Sequence, residues 1–243
     1  MRTPTIGFIY PDHAAEDDYP RAAALLDVAL PVAHIYGTDL HAIPELLDLG
    51  SPEKLSHGAS LLAAEDPAVV VWACTSGSFV YGPEGARGQV DSLAAAAGVP
   101  ASSTSFAFVE AARALGVRRV AVVASYPEQV ARLFVDFLAD ADIEVVSMSS
   151  AGIDTAAEVG TLTPEQVLQL AVANDHADAQ ALLIPDTAMH TLEVLPELEA
   201  ALGKPVLTAN QVTIWEGLRL AGVTACVPEL GALFAEGSRH VDH

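Results

Sequence analysis

Short, nearly continuous apolar runs alternate along this chain with longer stretches rich in Ala, Leu and Glu. The β-branched and aromatic content of the runs predicts strands at Thr5–Tyr10, Val32–Tyr36, Ala68–Ala73, Val120–Ala124, Glu144–Met148, Ala181–Ile184 and Pro205–Leu207. Between them the pattern predicts helices around Ala22–Val28, Glu53–Ala63, Gly85–Ala97, Phe106–Leu115, Pro127–Asp140, Pro164–Ala173, Leu192–Leu202 and Val212–Leu220. Thr163-Pro164-Glu165-Gln166 reads as a helix start, with a Thr cap and Pro in the first turn. Strand followed by helix, repeated, with strands apolar on both faces, is the signature of parallel sheets covered on both sides. The expected fold class is therefore α/β.

The pattern also repeats internally. Ile6-Gly7-Phe8-Ile9-Tyr10-Pro11 returns in style as Val122-Val123-Ala124-Ser125-Tyr126-Pro127, and Gly98-Val99-Pro100 as Gly203-Lys204-Pro205. The run ending at Cys74-Thr75-Ser76 matches the run ending at Asp186-Thr187-Ala188. The expectation is two similar Rossmann-like lobes facing each other across a cleft. Residues 1–114 form the first lobe, completed by the C-terminal segment 209–243, and residues 115–208 form the second. In such sheets ligands sit beyond the carboxyl ends of strands, where Tyr10-Pro11, Cys74-Thr75-Ser76, Tyr126 and Asp186-Thr187 all fall.

Composition narrows the functions available. A chain of 243 residues that is 51% hydrophobic can bury a large core, and it has no apolar run of the ~20 residues a membrane span needs. The start, Met1-Arg2-Thr3-Pro4, leads directly into a strand, which leaves no room for a signal peptide and points to the cytoplasm. A formal charge of −21, with Lys54 and Lys204 the only lysines, argues against nucleic acid and anionic membrane as partners. Cys74 and Cys226 are the only cysteines and read as free thiols. No zinc-ligand spacing occurs among the scattered histidines; His240 and His243 lie in a polar tail.

Cys74 ends a strand and opens the polar turn Thr75-Ser76-Gly77-Ser78, where helix-terminal amides would lower a thiol's pKa and hold an anion. A buried structural cysteine is the competing reading, and it is the one that fits Cys226 within Val223–Val227. Thr75 and Ser76 are either ordinary caps or a carboxylate cradle. Asp186 is either a helix N-cap or, by its match to Cys74, an acid/base on the other side of a substrate. Tyr126 either offers a donor to a developing oxyanion or is a half-exposed aromatic at a strand end, and Tyr10 carries the same ambiguity. His13 and His190 lie near strand ends and receive no catalytic role.

Several of these stretches together resemble the aspartate/glutamate racemase superfamily, in the branch holding maleate cis-trans isomerase and arylmalonate decarboxylase. The resemblance rests on Gly7–Pro11, Cys74-Thr75-Ser76-Gly77-Ser78-Phe79, Leu115–Val122, Gly152-Ile153, Glu158-Val159-Gly160, Thr191–Glu199, Leu202–Val206 and Asn210-Gln211. It implies two pseudo-symmetric lobes, chemistry without metal or organic cofactor, and a small carboxylic acid as substrate. Cys74 would be the first-lobe cysteine, Thr75, Ser76 and Tyr126 the carboxylate and enediolate cradle, with Pro11 and Thr187 also against the substrate. Relatives are often dimers, so a homodimer is an expectation of the resemblance alone.

This chain departs from the branch at three places. Asp186 stands where the second cysteine is expected, and Ala14 and Ala156 stand where asparagines would hold a second carboxylate. Maleate itself is thereby disfavoured. The leading expectation is a cofactor-independent isomerase or racemase using Cys74 opposite Asp186. The alternatives are a decarboxylase that protonates an enediolate from Cys74, and a non-catalytic carboxylate-binding protein.

Overall fold

The computed structural model describes residues 3–11 and 14–235; His13, His240, His243 and the end of the predicted C-terminal segment lie outside them. The most apolar runs form the centres of two parallel sheets. In the first sheet, β1 (Ile6–Pro11), β2 (Val32–Ile35), β3 (Val69–Trp72) and β4 (Ala101–Ser103) lie in the order β2-β1-β3-β4. In the second, β5 (Arg119–Ala124), β6 (Glu144–Ser150), β7 (Ala181–Ile184) and β8 (Val206–Thr208) repeat it as β6-β5-β7-β8. Every neighbouring pair is parallel. The inner strands β3 and β7 are buried along their whole length, as strands covered on both faces must be.

Helices α1 (Asp18–Leu26), α2 (Ile43–Leu49), α3 (Pro52–Leu62), α4 (Ser76–Phe79), α5 (Gly82–Ala97) and α6 (Thr104–Ala114) accompany the first sheet in sequence. Helices α7 (Glu128–Asp140), α8 (Ala156–Val159), α9 (Pro164–Ala173), α10 (Leu195–Leu202), α11 (Ala209–Leu220) and α12 (Ala232–Ala235) follow. α9 starts as its sequence predicts. Thr163 Oγ1 accepts from the Gln166 amide, Gln166 Oε1 accepts from the Thr163 amide, and Pro164 fills the first turn.

Five short elements of the described residues lie outside the sequence expectation: β4, α2, α4, α8 and α12, the last three of four residues each. β4 is three residues of Ala and Ser, too short and polar to register as an apolar run. α2 is seven residues, Ile43–Leu49, with Glu45 and Asp48 among its apolar positions, below the length at which helical periodicity becomes legible. Cys226 also differs. It is exposed, with its thiol donating to the Ala235 carbonyl at 3.3 Å, because Val223–Val227 runs along the surface as irregular chain rather than entering the core.

Helix α11 returns to the first sheet. A Cβ on Gly217 would lie 2.6 Å from Ile6 Cγ2, so only glycine lets the helix approach β1 this closely. Ser102 of β4 donates to Glu216 at 2.9 Å, and the Thr104 and Thr213 hydroxyls of α6 and α11 meet at 2.6 Å. A second tie joins the residues after β2 to those after β6. Leu40 and Thr155 form an antiparallel bridge, the His41 amide donates to the Asp154 carbonyl at 2.7 Å, and the Ala156 amide to the Asp39 carbonyl at 2.8 Å.

Candidate active site

The carboxyl ends of β1, β3 and β7 open into one narrow cavity of about 30 Å³. Cys74 and Asp186, each two residues beyond an inner strand, both line it, and so do Pro11, Ser76 and Thr187. Thr75 and Tyr126 are buried but do not line the cavity; the Tyr126 hydroxyl is close enough to Thr75 and Ser76 to be influenced by theirs. Ala14 and Ala156 contribute to the wall, joined by Leu40, Leu46 and Leu49, so much of the surface offered to a ligand is apolar.

The turn after β3 is shaped around the sulfur. The Gly77 amide donates to Cys74 Sγ at 3.3 Å, and Ser76 Oγ lies 3.8 Å away. A Cβ at Gly77 would fall 2.9 Å from Trp72 Cζ2 and 3.1 Å from that sulfur, so the amide can reach it only because the residue is glycine. Expectation and structure part here on electrostatics. Burial, the largest influence, together with the charge of Asp186 outweighs the Gly77 and Ser76 contacts and leaves the thiol raised to about 11. One amide at a four-residue helix does not offset full desolvation, so Cys74 is a neutral thiol near pH 7. Thr75 Oγ1 is buried and makes no hydrogen bond of ordinary geometry, and it lies close enough to the Tyr126 hydroxyl to influence it.

Asp186 does not cap a helix. Its Oδ1 accepts from the Ala188 amide at 2.9 Å, closing a tight turn, and its Oδ2 accepts from the Ser125 hydroxyl. Tyr126 donates its hydroxyl hydrogen to the Pro185 carbonyl at 2.5 Å, so donation to a substrate requires that bond to yield. Burial holds the phenol well above its ordinary range, with the Asp186 and Cys74 charges adding to the effect.

Sequence reasoning missed His41. It is almost fully buried, lines the cavity, and places Nε2 3.8 Å from Asp186 Oδ2. Its Nδ1 lies 3.0 Å from the Ile153 carbonyl and therefore carries the hydrogen, and its ring meets Tyr126 edge-on at 4.9 Å. Nothing local marks His41, because its partners are brought to it by the tie between Leu40 and Thr155. His190, which was given no role, pairs with Asp17 away from the cavity wall.

Tyr10 serves as a strut. It accepts from the Ala15 amide at 3.1 Å and donates to the Thr187 carbonyl at 2.5 Å, which ties the end of β1 to the Asp186 turn. Asn210 reinforces that turn, donating to the Thr187 carbonyl at 3.1 Å and to Asp18 at 2.9 Å. Among the described residues no group of His, Cys, Asp and Glu is disposed to hold a metal ion, and no helix is long and apolar enough to cross a membrane.

Comparison with known proteins places these features in context. A family model described as arylmalonate decarboxylase matches residues 50–234. An arylmalonate decarboxylase from Bordetella bronchiseptica is 32% identical over 238 residues, covering 96% of this chain and 98% of that protein. A maleate isomerase from Nocardia farcinica is 30% identical over 184 residues, covering 73% of each. The solved Nocardia farcinica maleate cis-trans isomerase carrying a covalently bound succinylcysteine intermediate superposes with a TM-score of 0.87 at 22% identity, over 95% of this chain and 97% of that one.

Proposed function

The chain belongs to the arylmalonate decarboxylase family, and on that premise we propose that it is a cofactor-independent isomerase or racemase acting on a small carboxylic acid. The observation that carries this reading is the meeting of Cys74 and Asp186, from the inner strands of two different sheets, on one cavity. The Asp186 carboxylate takes the α-proton of the bound acid, and the electron pair left on carbon delocalises into the substrate carboxylate as an enediolate. The Cys74 thiol then returns a proton to the other face. Its raised pKa suits the donor role, because the proton is present at neutral pH. Ser76 supplies a hydroxyl at the cavity wall where the enediolate charge develops, Thr75 and Tyr126 stand behind it and join once Tyr126 releases the Pro185 carbonyl, and Pro11 and Thr187 shape the walls.

Decarboxylation is the second reading, and the apolar wall favours it. Ala14, Ala156 and Leu40 offer no donors to a second carboxylate. A carboxyl group lodged there would leave as carbon dioxide, its bonding pair becoming the same enediolate, and Cys74 alone would complete the reaction. The Nocardia farcinica isomerase forms a cysteine adduct; here a neutral thiol is a poor nucleophile, which disfavours addition to a double bond.

Incubation in deuterated water with 2-phenylpropanoate, phenylmalonate and maleate, followed by proton NMR, tests the choice. Exchange of the α-proton of 2-phenylpropanoate without carbon dioxide release supports the first reading. Carbon dioxide release from phenylmalonate moves the assignment to the second. Saturable binding of these acids with no turnover of any would leave a carboxylate-binding protein.

The same reading places the protein in the cytoplasm, in keeping with two unpaired cysteines, as a homodimer that binds neither nucleic acid nor membrane, in keeping with its charge of −21. The lobe division proposed from the sequence, 1–114 with the C-terminal segment and 115–208, belongs to the same reading, taken over the described residues 3–11 and 14–235. Support for the division comes from the contacts of α11 with β1 and β4.

A further inference from the structure

A transfer that takes a proton on a carboxylate and returns one from a thiol leaves both groups in the wrong state. After one turnover Asp186 holds a proton and Cys74 is a thiolate, and neither can act again until a proton has moved. Asp186 is buried and held by Ser125 and the Ala188 amide. The one neighbouring base that also borders the cavity is His41. We propose that His41 and Asp186 form a proton-sharing pair, in which the imidazole drains and refills the carboxylate between turnovers. The inference rests on the function proposed above for its catalytic purpose, though the pairing itself is a property of the resting protein.

Three observations support it. The Ile153 carbonyl can only accept, so it fixes the hydrogen on Nδ1 and leaves the Nε2 lone pair toward Asp186. The separation of 3.8 Å is too long for a formed hydrogen bond yet within a small side-chain adjustment of one. Once Nε2 takes the proton, the imidazolium faces a carboxylate on one side and a carbonyl on the other, and both stabilise it. The remaining groups facing this corner are the Tyr126 ring, packed edge-on, and Asp39, Tyr10 and Cys74 around the same cavity. None of the cavity-lining residues is a lysine or arginine.

The sequence of steps balances. The Asp186 carboxyl passes its proton to His41 Nε2, and the imidazolium gives it up to water in the cavity. Water in turn reprotonates the Cys74 thiolate. No oxidant, reductant or further reactant is consumed.

The test uses the full-length protein with ¹⁵N-labelled histidine, following the His41 ring nitrogens by NMR against pH in wild type and Asp186→Asn. Loss of the carboxylate should change the pH response of the Nε2 resonance. An unchanged response would overturn the proposal whether or not the protein turns over any acid. In the activity arm, His41→Asn keeps a donor for the Ile153 carbonyl and removes Nε2. Its melting temperature should stay close to wild type, while kcat for α-deuteration of 2-phenylpropanoate falls at least tenfold and KM changes little. Added imidazole should restore turnover in His41→Ala. Full kcat in His41→Asn would also overturn the relay. Absence of any wild-type turnover would count against the proposed function alone, with the NMR titration still deciding the pairing.

Discussion

The strand ends after β3 and β7 occupy the same place in sheets of the same order, yet they surround their acidic side chains differently. At the first, a buried sulfur receives one backbone amide and the edge of a serine hydroxyl, and desolvation prevails. At the second, donors meet both oxygens of the carboxylate and an imidazole stands beyond them. A duplicated backbone therefore supplies position, and the donors within reach of each acid decide its part in a proton transfer. A thiol kept neutral can give a proton. Donors on both oxygens fix the direction in which the carboxylate faces.

The largest effect expected from breaking this pairing is at the thiol. Cys74→Ala should reduce turnover by about 10³-fold or more, the scale of losing a positioned acid, with an unchanged melting temperature. Asp186→Asn separates the two readings. It should lower α-proton exchange by about 10²-fold or more while leaving carbon dioxide release from phenylmalonate, if present, much less affected. Alkylation of Cys74 followed against pH should show a rate rising toward a midpoint of about 11 rather than the ordinary value near 9. Cys226, exposed, must first be removed as Cys226→Ser.

Smaller effects test the scaffold that holds the two ends together. Burial pushes Asp18, the Asn210 partner, up to about 6 from 3.8. Because the folded state binds that proton more tightly, the associated stability is complete below about pH 4 and is lost as pH rises to about 6, a change on the order of 2–3 kcal/mol. Urea unfolding between pH 4 and 7 should show the trend, and Asp18→Asn should flatten it. Gly217→Ala, which forces a methyl against Ile6, should cost about 1–3 kcal/mol in the same assay.

Much of this arrangement was readable in advance, and the gaps have physical causes. The β1, β3, β5 and β7 runs are apolar on both faces, so their type and parallel pairing follow from the residues alone. Cys74 and Asp186 could be matched because the duplication keeps its order along the chain. The thiol's charge state could not, since it depends on how deeply the turn is buried against how many amides reach the sulfur. His41 stayed hidden for a related reason. Its partners lie 112 residues away at Ile153 and further still at Asp186, and only folding brings them together.

The backbone bridge between Leu40 and Thr155 has a kinetic consequence. It runs along the same strip that carries His41, with the Asp39 and Asp154 carbonyls as latches. Any motion that unfastens this strip to exchange product for fresh acid also withdraws the imidazole from its carboxylate. Were the strip to open for the occupant to leave, recharging of the protons would wait until the bridge had formed again.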